Sequence, residues 1–259
     1  MTPAAPRTHV AVRGFDRAAA AYERGRPGYP AAAIAHLARK LGLRRGATVV
    51  ELGSGTGKFT RALRPTGAAI VAVEPTDGMR RVFARAVPRV AVLDGTAESI
   101  PLPDGFADAV VAAQAFHWFR PRPALREITR VLRPGGGLGL VFNTRDESVG
   151  WSHRLTEIIA PYWASGPRAR EGQWRAPFER TATGFTALAT SAFPYSQRAS
   201  PEEFVARVLS VSVVAILPPR ERRRVAEQVR TVLARDPATR GRLSLDLPYR
   251  TDVHTCRRR

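Results

Sequence analysis

Three alternate glycines near the start of the chain constrain its fold more than any other feature. Gly53, Gly55 and Gly57 follow a β-branched run at about 47–52 and precede a helical segment that begins near Phe59. Glycine tolerates both a tight turn and the close approach of a ligand to the backbone. A strand, a glycine turn and a helix in that order predict the first unit of an open α/β sheet, with a ligand site at the carboxyl end of the strand.

Two ligand classes that use such turns fail on spacing. A phosphate-binding P-loop needs a glycine, four residues and then Gly-Lys-Ser or Gly-Lys-Thr. Here Phe59 follows Gly57 and Lys58, and Leu52 occupies the position of the first glycine. A dinucleotide turn needs Gly-x-Gly-x-x-Gly, and counting from Gly53 its last position is Lys58. The spacing therefore excludes a P-loop and disfavours a dinucleotide.

Short apolar runs alternate with longer helical patterns through the first half of the chain. We predict strands at about 47–52, 69–74, 89–93, 107–113 and 137–143, and helices at 30–41, 59–63, 78–86 and 123–132. This alternation is typical of βα units on a mostly parallel sheet. After about residue 145 the pattern is unlike a strand, and we interpret this stretch, with the helical segment 201–216, as an insertion or lid. We then predict a helix at 219–234 and an edge strand at 243–254, interrupted by Pro248.

Two acidic residues accompany the glycine turn. Glu51 stands two residues before Gly53, and Glu74 ends the second predicted strand. This Glu-x-Gly-x-Gly-x-Gly run with its distant carboxylate resembles class I S-adenosylmethionine-dependent methyltransferases. The resemblance implies an α/β fold that is Rossmann-like and doubly wound, with a mostly parallel seven-stranded sheet, an antiparallel edge strand and an α-helical insertion or lid. It also implies S-adenosyl-L-methionine as the cofactor, with Glu74 accepting hydrogen bonds from the ribose hydroxyls.

The resemblance covers residues 45–143 and extends the cofactor site along neighbouring loops. In the family, the glycine turn passes the methionine part of the cofactor, the loop after the third strand meets the adenine, and the loop after the fourth strand lies beside the cofactor. The cofactor-binding residues that this implies are Glu51, Gly53, Ser54, Gly55, Thr56, Gly57, Glu74, Pro75, Met79, Thr96, Ala97, Gln114 and Ala115.

Two further runs, at 22–30 and 114–118, resemble the small-molecule branch of methyltransferase type 11 that includes trans-aconitate methyltransferases. That branch uses an N-terminal helix as a flap. The resemblance implies that Tyr22, Arg26 and Tyr29 close over the cofactor or the acceptor, and that Trp118 contacts the acceptor. The alternative is that the two tyrosines pack the flap on the core and that Arg26 is a surface charge.

His117 is the candidate catalytic base. Methyl transfer is an in-line displacement, so alignment and exclusion of water are the enzyme's main tasks, without a metal. A carboxylate acceptor needs no base, whereas a hydroxyl, phenol or amine would be helped by a histidine, whose ordinary pKa is about 6.5. The alternative is that His117 and Trp118 only wall the pocket. The other histidines lack acidic or cysteine partners at metal-ligand spacing, so no metal is expected.

The chain is strongly basic, with a formal net charge of +19 that comes almost entirely from arginines in every segment. A diffuse positive field attracts polyanions without selecting one, so we favour a small-molecule acceptor over a nucleic acid. No apolar run approaches the roughly 20 residues of a membrane span, and no secretory signal is recognisable. Cys256 is the single cysteine, which fits a reducing compartment, and we expect a cytoplasmic protein without a membrane partner.

These patterns divide the chain into five segments. They are a disordered tail at 1–12, an N-terminal helical flap at 13–44, a cofactor-binding core at 45–145, a lid and substrate region at 146–220, and a C-terminal helix with the edge strand at 221–259. The favoured function is methylation of a small molecule at oxygen, nitrogen or carbon, with a carboxylate or hydroxyl as a plausible acceptor. The alternatives are an RNA or protein methyltransferase and a non-catalytic, cofactor-binding regulatory protein.

Overall fold

A computed structural model describes residues 25–163, 173–179 and 184–259, and the strands within these residues form one seven-stranded sheet. The strands are β1 (Thr48–Leu52), β2 (Ala69–Val73), β3 (Ala91–Leu93), β4 (Ala107–Ala113), β5 (Leu132–Arg145), β6 (Ala189–Ala199) and β7 (Leu245–Arg257). The α-helices are α1 (Ala31–Leu41), α2 (Lys58–Leu63), α3 (Asp77–Ala86), α4 (Pro121–Val131), α5 (Gly150–Trp163), α6 (Pro201–Leu209), α7 (Ser212–Ala215) and α8 (Pro219–Arg235). Short 3-10 helices lie at Arg64–Thr66, Phe116–Trp118 and Gln173–Glu179.

The strand order places a ligand crevice next to the glycine turn. The order is β3-β2-β1-β4-β5-β7-β6. Strands β1 to β5 are parallel, and β7 is antiparallel to both β5 and β6. The winding direction reverses between β1 and β4, and open α/β sheets bind ligands at the carboxyl ends of the strands at such a point. The predicted Rossmann-like, mostly parallel seven-stranded sheet is confirmed.

Helices cover both faces of the sheet. On one face, α1 and α2 bury Leu37 and Phe59 against Val49 of β1 and Val111 of β4. On the other face, α4 packs through side chains that include Ile128. Helices α5, α6 and α8 form a further cluster with one end of β7. Because parallel strands are buried on both faces, β1 and β4 have the nearly continuous apolar sequences that made them predictable.

The strand at the edge of the sheet is not the one that the sequence predicts. We expected an edge strand at 243–254, but β7 lies between β5 and β6, and β6 is the edge strand on that side of the sheet. Strand β6 falls in the stretch that we interpreted as unlike a strand. Apart from the buried Ala199 at its end, its side chains alternate between exposed and half-buried, and it contains Pro194, which is typical of an edge. Pro248 pairs with Ser196 of β6 and lies one residue beyond the last pair with β5, at Tyr249.

The predicted helix at 201–216 consists of two helices, α6 and α7. Helix α6 begins with a capping box, in which the Glu203 amide donates to the Ser200 hydroxyl and the Ser200 amide donates to the Glu203 carboxylate. Residues 1–24, with the predicted tail and the first part of the flap, lie outside the described residues. No helix in the described part of the chain is long and apolar enough to cross a membrane.

Candidate active site

The glycine turn after β1 requires glycine for both conformation and space. Gly53, Gly55 and Gly57 have φ angles of 65°, 56° and 82°, in the left-handed region that side chains disfavour. A Cβ atom on Gly53 would lie 2.7 Å from the Cβ of Ala115, and one on Gly57 would lie 2.4 Å from a methyl group of Val87. The turn is therefore packed against the loop after β4 on one side and against the end of α3 on the other.

Strand β2 anchors this turn. The amides of Gly53 and Ser54 donate to the Val73 carbonyl, at 2.8 and 3.3 Å. The next residue, Glu74, accepts from the Gly55 amide at 2.9 Å and from the Thr76 amide at 3.0 Å. Burial raises the pKa of Glu74, while its hydrogen bonds with Gly55 and Thr76 lower it. The carboxylate is thus fixed beside the glycine turn, and its remaining lone pairs can accept hydroxyl protons.

Glu51 lies at the bottom of the same site and is buried, with 1% of its surface exposed. Its carboxyl accepts a hydrogen bond from the Thr60 hydroxyl at 2.6 Å. Burial raises the pKa of Glu51 to about 8, and the nearby Glu74 charge adds to this effect. Glu51 is therefore mostly protonated at neutral pH, and a cation placed beside it would favour its ionised form.

Gln114 and Asn143 form a polar corner at the carboxyl ends of β4 and β5. Gln114 has a φ of 54°, and its side-chain amide donates to the Asn143 carbonyl at 2.8 Å. The Asn143 side chain donates to the Gly28 carbonyl at 2.8 Å and accepts from the Thr251 hydroxyl at 2.6 Å. Asn143 therefore connects two strands to the segment that precedes α1. A non-glycine residue at positive φ stores strain, which is common at functional sites.

Residues 26–29 lie across the site as part of a pocket wall. Lys58 donates to the Arg26 carbonyl at 2.8 Å, and the Gly28 amide donates to the Tyr195 hydroxyl at 3.1 Å. The Tyr29 ring meets the Phe59 ring edge-on, with centroids 4.8 Å apart. The enclosed space is only about 60 Å³, whereas small-molecule pockets usually have about 300–1,000 Å³. A cofactor-sized ligand therefore needs more room than this pocket gives between residues 26–29 and the glycine turn.

His117 is half-buried in the 3-10 helix after β4. Its ring lies against Trp118 and Phe142, with centroids 5.2 and 6.0 Å away. Burial, with a contribution from the Arg26 charge, lowers the pKa of His117 to about 4. The imidazole is thus neutral at neutral pH, but it is a weak base, since base strength falls with pKa.

The structure gathers only some of the predicted residues around the turn. The pocket there is lined by Arg26, Pro27, Tyr29, Glu51, Gly53, Ser54, Gly55, Thr56, Lys58, Phe59, Ala113, Gln114, Asn143 and Arg207. Eight of these are predicted site residues. The other predicted site residues that the structure describes do not line this pocket: Gly57, Glu74, Pro75, Met79, Thr96, Ala97, Ala115, His117 and Trp118. Tyr22 is outside the described residues.

Some pocket residues were missed by the sequence analysis. Lys58 was used only to exclude other ligand classes, although it begins the helix that the glycine turn leads into. Asn143 is a polar residue at the end of an apolar strand, and this position could have marked it. Arg207 lies about 150 residues after the glycine turn in the sequence, and no local pattern indicates that α6 packs there.

Known proteins resemble this chain over most of its length. A family model described as a methyltransferase domain matches residues 50–140, from β1 into β5. An uncharacterized methyltransferase of Mycobacterium tuberculosis is 40% identical over 237 residues, which cover 92% of this chain and 92% of the relative.

Solved structures share the fold. A candidate type II methyltransferase from Anaeromyxobacter dehalogenans has a TM-score of 0.65 at 24% identity, covering 90% of this chain and 96% of that chain. A Haemonchus contortus phosphoethanolamine N-methyltransferase, solved with S-adenosylhomocysteine, has a TM-score of 0.54 at 15% identity, covering 94% of this chain and 57% of that chain. The fold and the glycine turn thus define a Rossmann-like α/β protein with the fold of class I methyltransferases. Its similarity to the mycobacterial relative shows that the chain belongs to the methyltransferase family.

Proposed function

We propose that the protein binds S-adenosyl-L-methionine and methylates a small-molecule acceptor. The observation that carries the proposal is the Glu74 carboxylate, which the Gly55 amide holds against the glycine turn at 2.9 Å. A carboxylate at this place can accept both hydroxyls of a ribose, as an acidic residue does after the glycine turn of dinucleotide enzymes. The spacing of the turn excludes a P-loop and disfavours a dinucleotide, and the resemblance to class I methyltransferases implies S-adenosyl-L-methionine.

The residues present fit this cofactor in three places. The turn from Gly53 to Gly55 would hold the methionine part, since its residues line the pocket. Glu74 would hold the ribose. The adenine would lie toward the loop after β3, which contains Thr96 and Ala97, and toward Pro75 and Met79, which follow Glu74 closely in the sequence. When bound, S-adenosyl-L-methionine supplies an activated methyl group.

The chain itself contributes alignment and exclusion of water. Residues 26–29 lie over the pocket and are held by Lys58 and Asn143, so their closure would remove water from the reacting groups. His117 can accept a hydrogen bond at neutral pH, but its pKa of about 4 makes it a poor proton acceptor for a hydroxyl or amine. An acceptor that is already nucleophilic at neutral pH suits this site best.

The covered pocket supports a small acceptor over a macromolecule. An RNA or protein chain would need an open approach to the methyl group, and residues 26–29 and α6 border the pocket instead. The resemblance to the trans-aconitate methyltransferase branch points the same way. We place the protein in the cytoplasm, because the buried, lone Cys256 suits a reducing compartment.

Cofactor binding is expected to depend on pH through Glu51. Glu51 is protonated below about pH 8 in the free protein, and the ammonium of a bound methionine moiety would lower that pKa. The complex then holds fewer protons than the free protein, so affinity for S-adenosylhomocysteine rises with pH from about 6.5 to 8, by up to about tenfold per pH unit. Isothermal titration calorimetry across this range measures the effect. Glu51→Gln should remove it, and a flat wild-type profile would contradict the role of Glu51.

The direct test of the proposed function is methyl transfer itself. The purified protein is incubated with methyl-labelled S-adenosyl-L-methionine and a cytosolic metabolite extract, and labelled products are separated by size and identified by mass. A labelled small molecule is expected. Label on RNA or on protein would favour the macromolecular alternatives. Tight cofactor binding without any labelled product would favour a regulatory, non-catalytic protein.

A further inference from the structure

Arg207 brings a cationic side chain to the pocket from α6. It is half-buried and lines the same pocket as the glycine turn. Helix α6 lies close to the chain before α1, because a Cβ on Gly25 would be 3.0 Å from the Cα of Arg207. One turn further along, the Ser210 carbonyl accepts a hydrogen bond from the Arg26 guanidinium at 3.4 Å. The packing of α6 therefore sets the position of Arg207 beside the candidate cofactor site.

The Nε of Arg207 has no hydrogen-bond partner among the residues that the structure describes. This atom is also shielded from solvent. Two exposed arginines of the same protein have acceptors for their Nε atoms. Arg198 makes two hydrogen bonds of 3.0 Å to Asp246, and Arg230 makes two of 2.8 Å to Glu202. A buried donor without an acceptor costs free energy, and such groups call for a functional explanation.

The electrostatics of the pocket favour an anion. Three basic side chains, Arg26, Lys58 and Arg207, line it together with one carboxyl group, that of Glu51. In the free protein, Glu51 has a pKa of about 8 and contributes little negative charge at neutral pH, and in the cofactor complex its charge would be balanced by the ammonium of the methionine part. A cleft with one sign of charge and buried walls concentrates ligands of the opposite sign.

We propose that the methyl acceptor carries an anionic oxygen group, a carboxylate or a phosphate, and that the Arg207 guanidinium binds it. The inference rests on the proposed function, because it assigns the acceptor of that same site. A guanidinium presents parallel N–H groups that match two oxygens of a carboxylate or phosphate. Arg207 is thus a substrate-binding residue, and neutral or cationic acceptors are disfavoured.

The test measures anion binding to protein saturated with S-adenosylhomocysteine. The probes are matched pairs that differ in charge: benzoate with benzamide, succinate with succinamide, and glycerol 3-phosphate with glycerol. In calorimetric titrations at low ionic strength, at least one anion is expected to bind about tenfold or more tightly than its neutral partner. Arg207→Met should abolish that preference. Arg207→Lys keeps the charge but lacks the parallel N–H donors of the guanidinium, and it should weaken the preference.

Arg223→Met is the matched control, because Arg223 is exposed on α8 and does not line the pocket. It should bind the anions as the wild type does. If no anion binds better than its neutral partner, or if Arg207→Met keeps the preference, the proposal is overturned. Affinity for S-adenosylhomocysteine is measured first in every variant. Its absence in the wild type would refute the proposed function, whereas normal affinity without anion preference would refute only the role of Arg207.

Discussion

Replacing Glu74 with alanine is expected to weaken binding of S-adenosylhomocysteine by about 100-fold or more. Two hydrogen bonds from ribose hydroxyls to a carboxylate are worth together at least about 3 kcal/mol, which corresponds to a factor of about 100 in affinity. The substitution also leaves the amides of Gly55 and Thr76 without their acceptor, so the glycine turn should loosen. Calorimetric titration of the wild type and Glu74→Ala measures the loss.

Loss of binding must be separated from loss of folding. Unsatisfied amides cost about 1–3 kcal/mol each, so urea denaturation should show a reduced but measurable free energy of unfolding for Glu74→Ala. Glu74→Gln keeps one acceptor oxygen and the side-chain shape, and it should fold better while still binding weakly. Glu227→Ala, on the exposed face of α8, is the control and should bind normally. Unchanged affinity in a folded Glu74→Ala protein would rule out Glu74 as the ribose ligand.

The sequence predicts the first half of the fold well because the physical constraints there are local. Strands β1 and β4 are buried on both faces and therefore read as apolar runs. Gly53 and Gly57 mark the turn because no other residue fits its conformation and its space. Edge strand β6 has neither a continuous apolar run nor a required glycine, since most of its side chains are at best half-buried, and on one face only. Its place in the sheet depends on pairing with β7, which follows it by some 50 residues in the sequence.

The candidate site likewise combines residues that the local sequence indicates with residues that it does not. Glu51, Gly53 and Gln114 could be predicted because they lie in the last residues of β1 or directly after β1 and β4, at the end of the sheet where ligands bind. Arg207 could not be assigned from local pattern, since its place in the site comes from the packing of α6 against the segment before α1. The position of Asn143 at the end of an apolar strand could have marked it, but its contact with the Gly28 carbonyl could not be predicted. The protonation state of His117 could not be predicted from the sequence either. Its low pKa results from burial and from the charge of Arg26, about 90 residues earlier in the chain.

Gly57→Ala is expected to destabilise the protein by roughly 2–5 kcal/mol. The left-handed backbone at Gly57, with a φ of 82°, costs an alanine about 1–2 kcal/mol. The new Cβ would also lie 2.4 Å from a Val87 methyl group and 2.8 Å from the Phe83 ring. Both side chains are buried, and overpacking of a core costs typically about 1–3 kcal/mol. Urea denaturation of the wild type and the variant gives the difference.

Gly42→Ala separates the two contributions. Gly42 follows α1 with a φ of 73°, close to that of Gly57, but a Cβ there has no atom within 4 Å. This variant should therefore show the backbone cost alone, about 1–2 kcal/mol. The excess loss in Gly57→Ala measures the cost of placing a methyl group between the glycine turn and α3. Because that contact fixes the start of α2 and the cradle before it, Gly57→Ala should also weaken S-adenosylhomocysteine binding, whereas Gly42→Ala should not. Equal losses of stability in the two variants would show that the turn accommodates the added methyl group without cost in free energy, and that glycine is needed at position 57 for backbone conformation only.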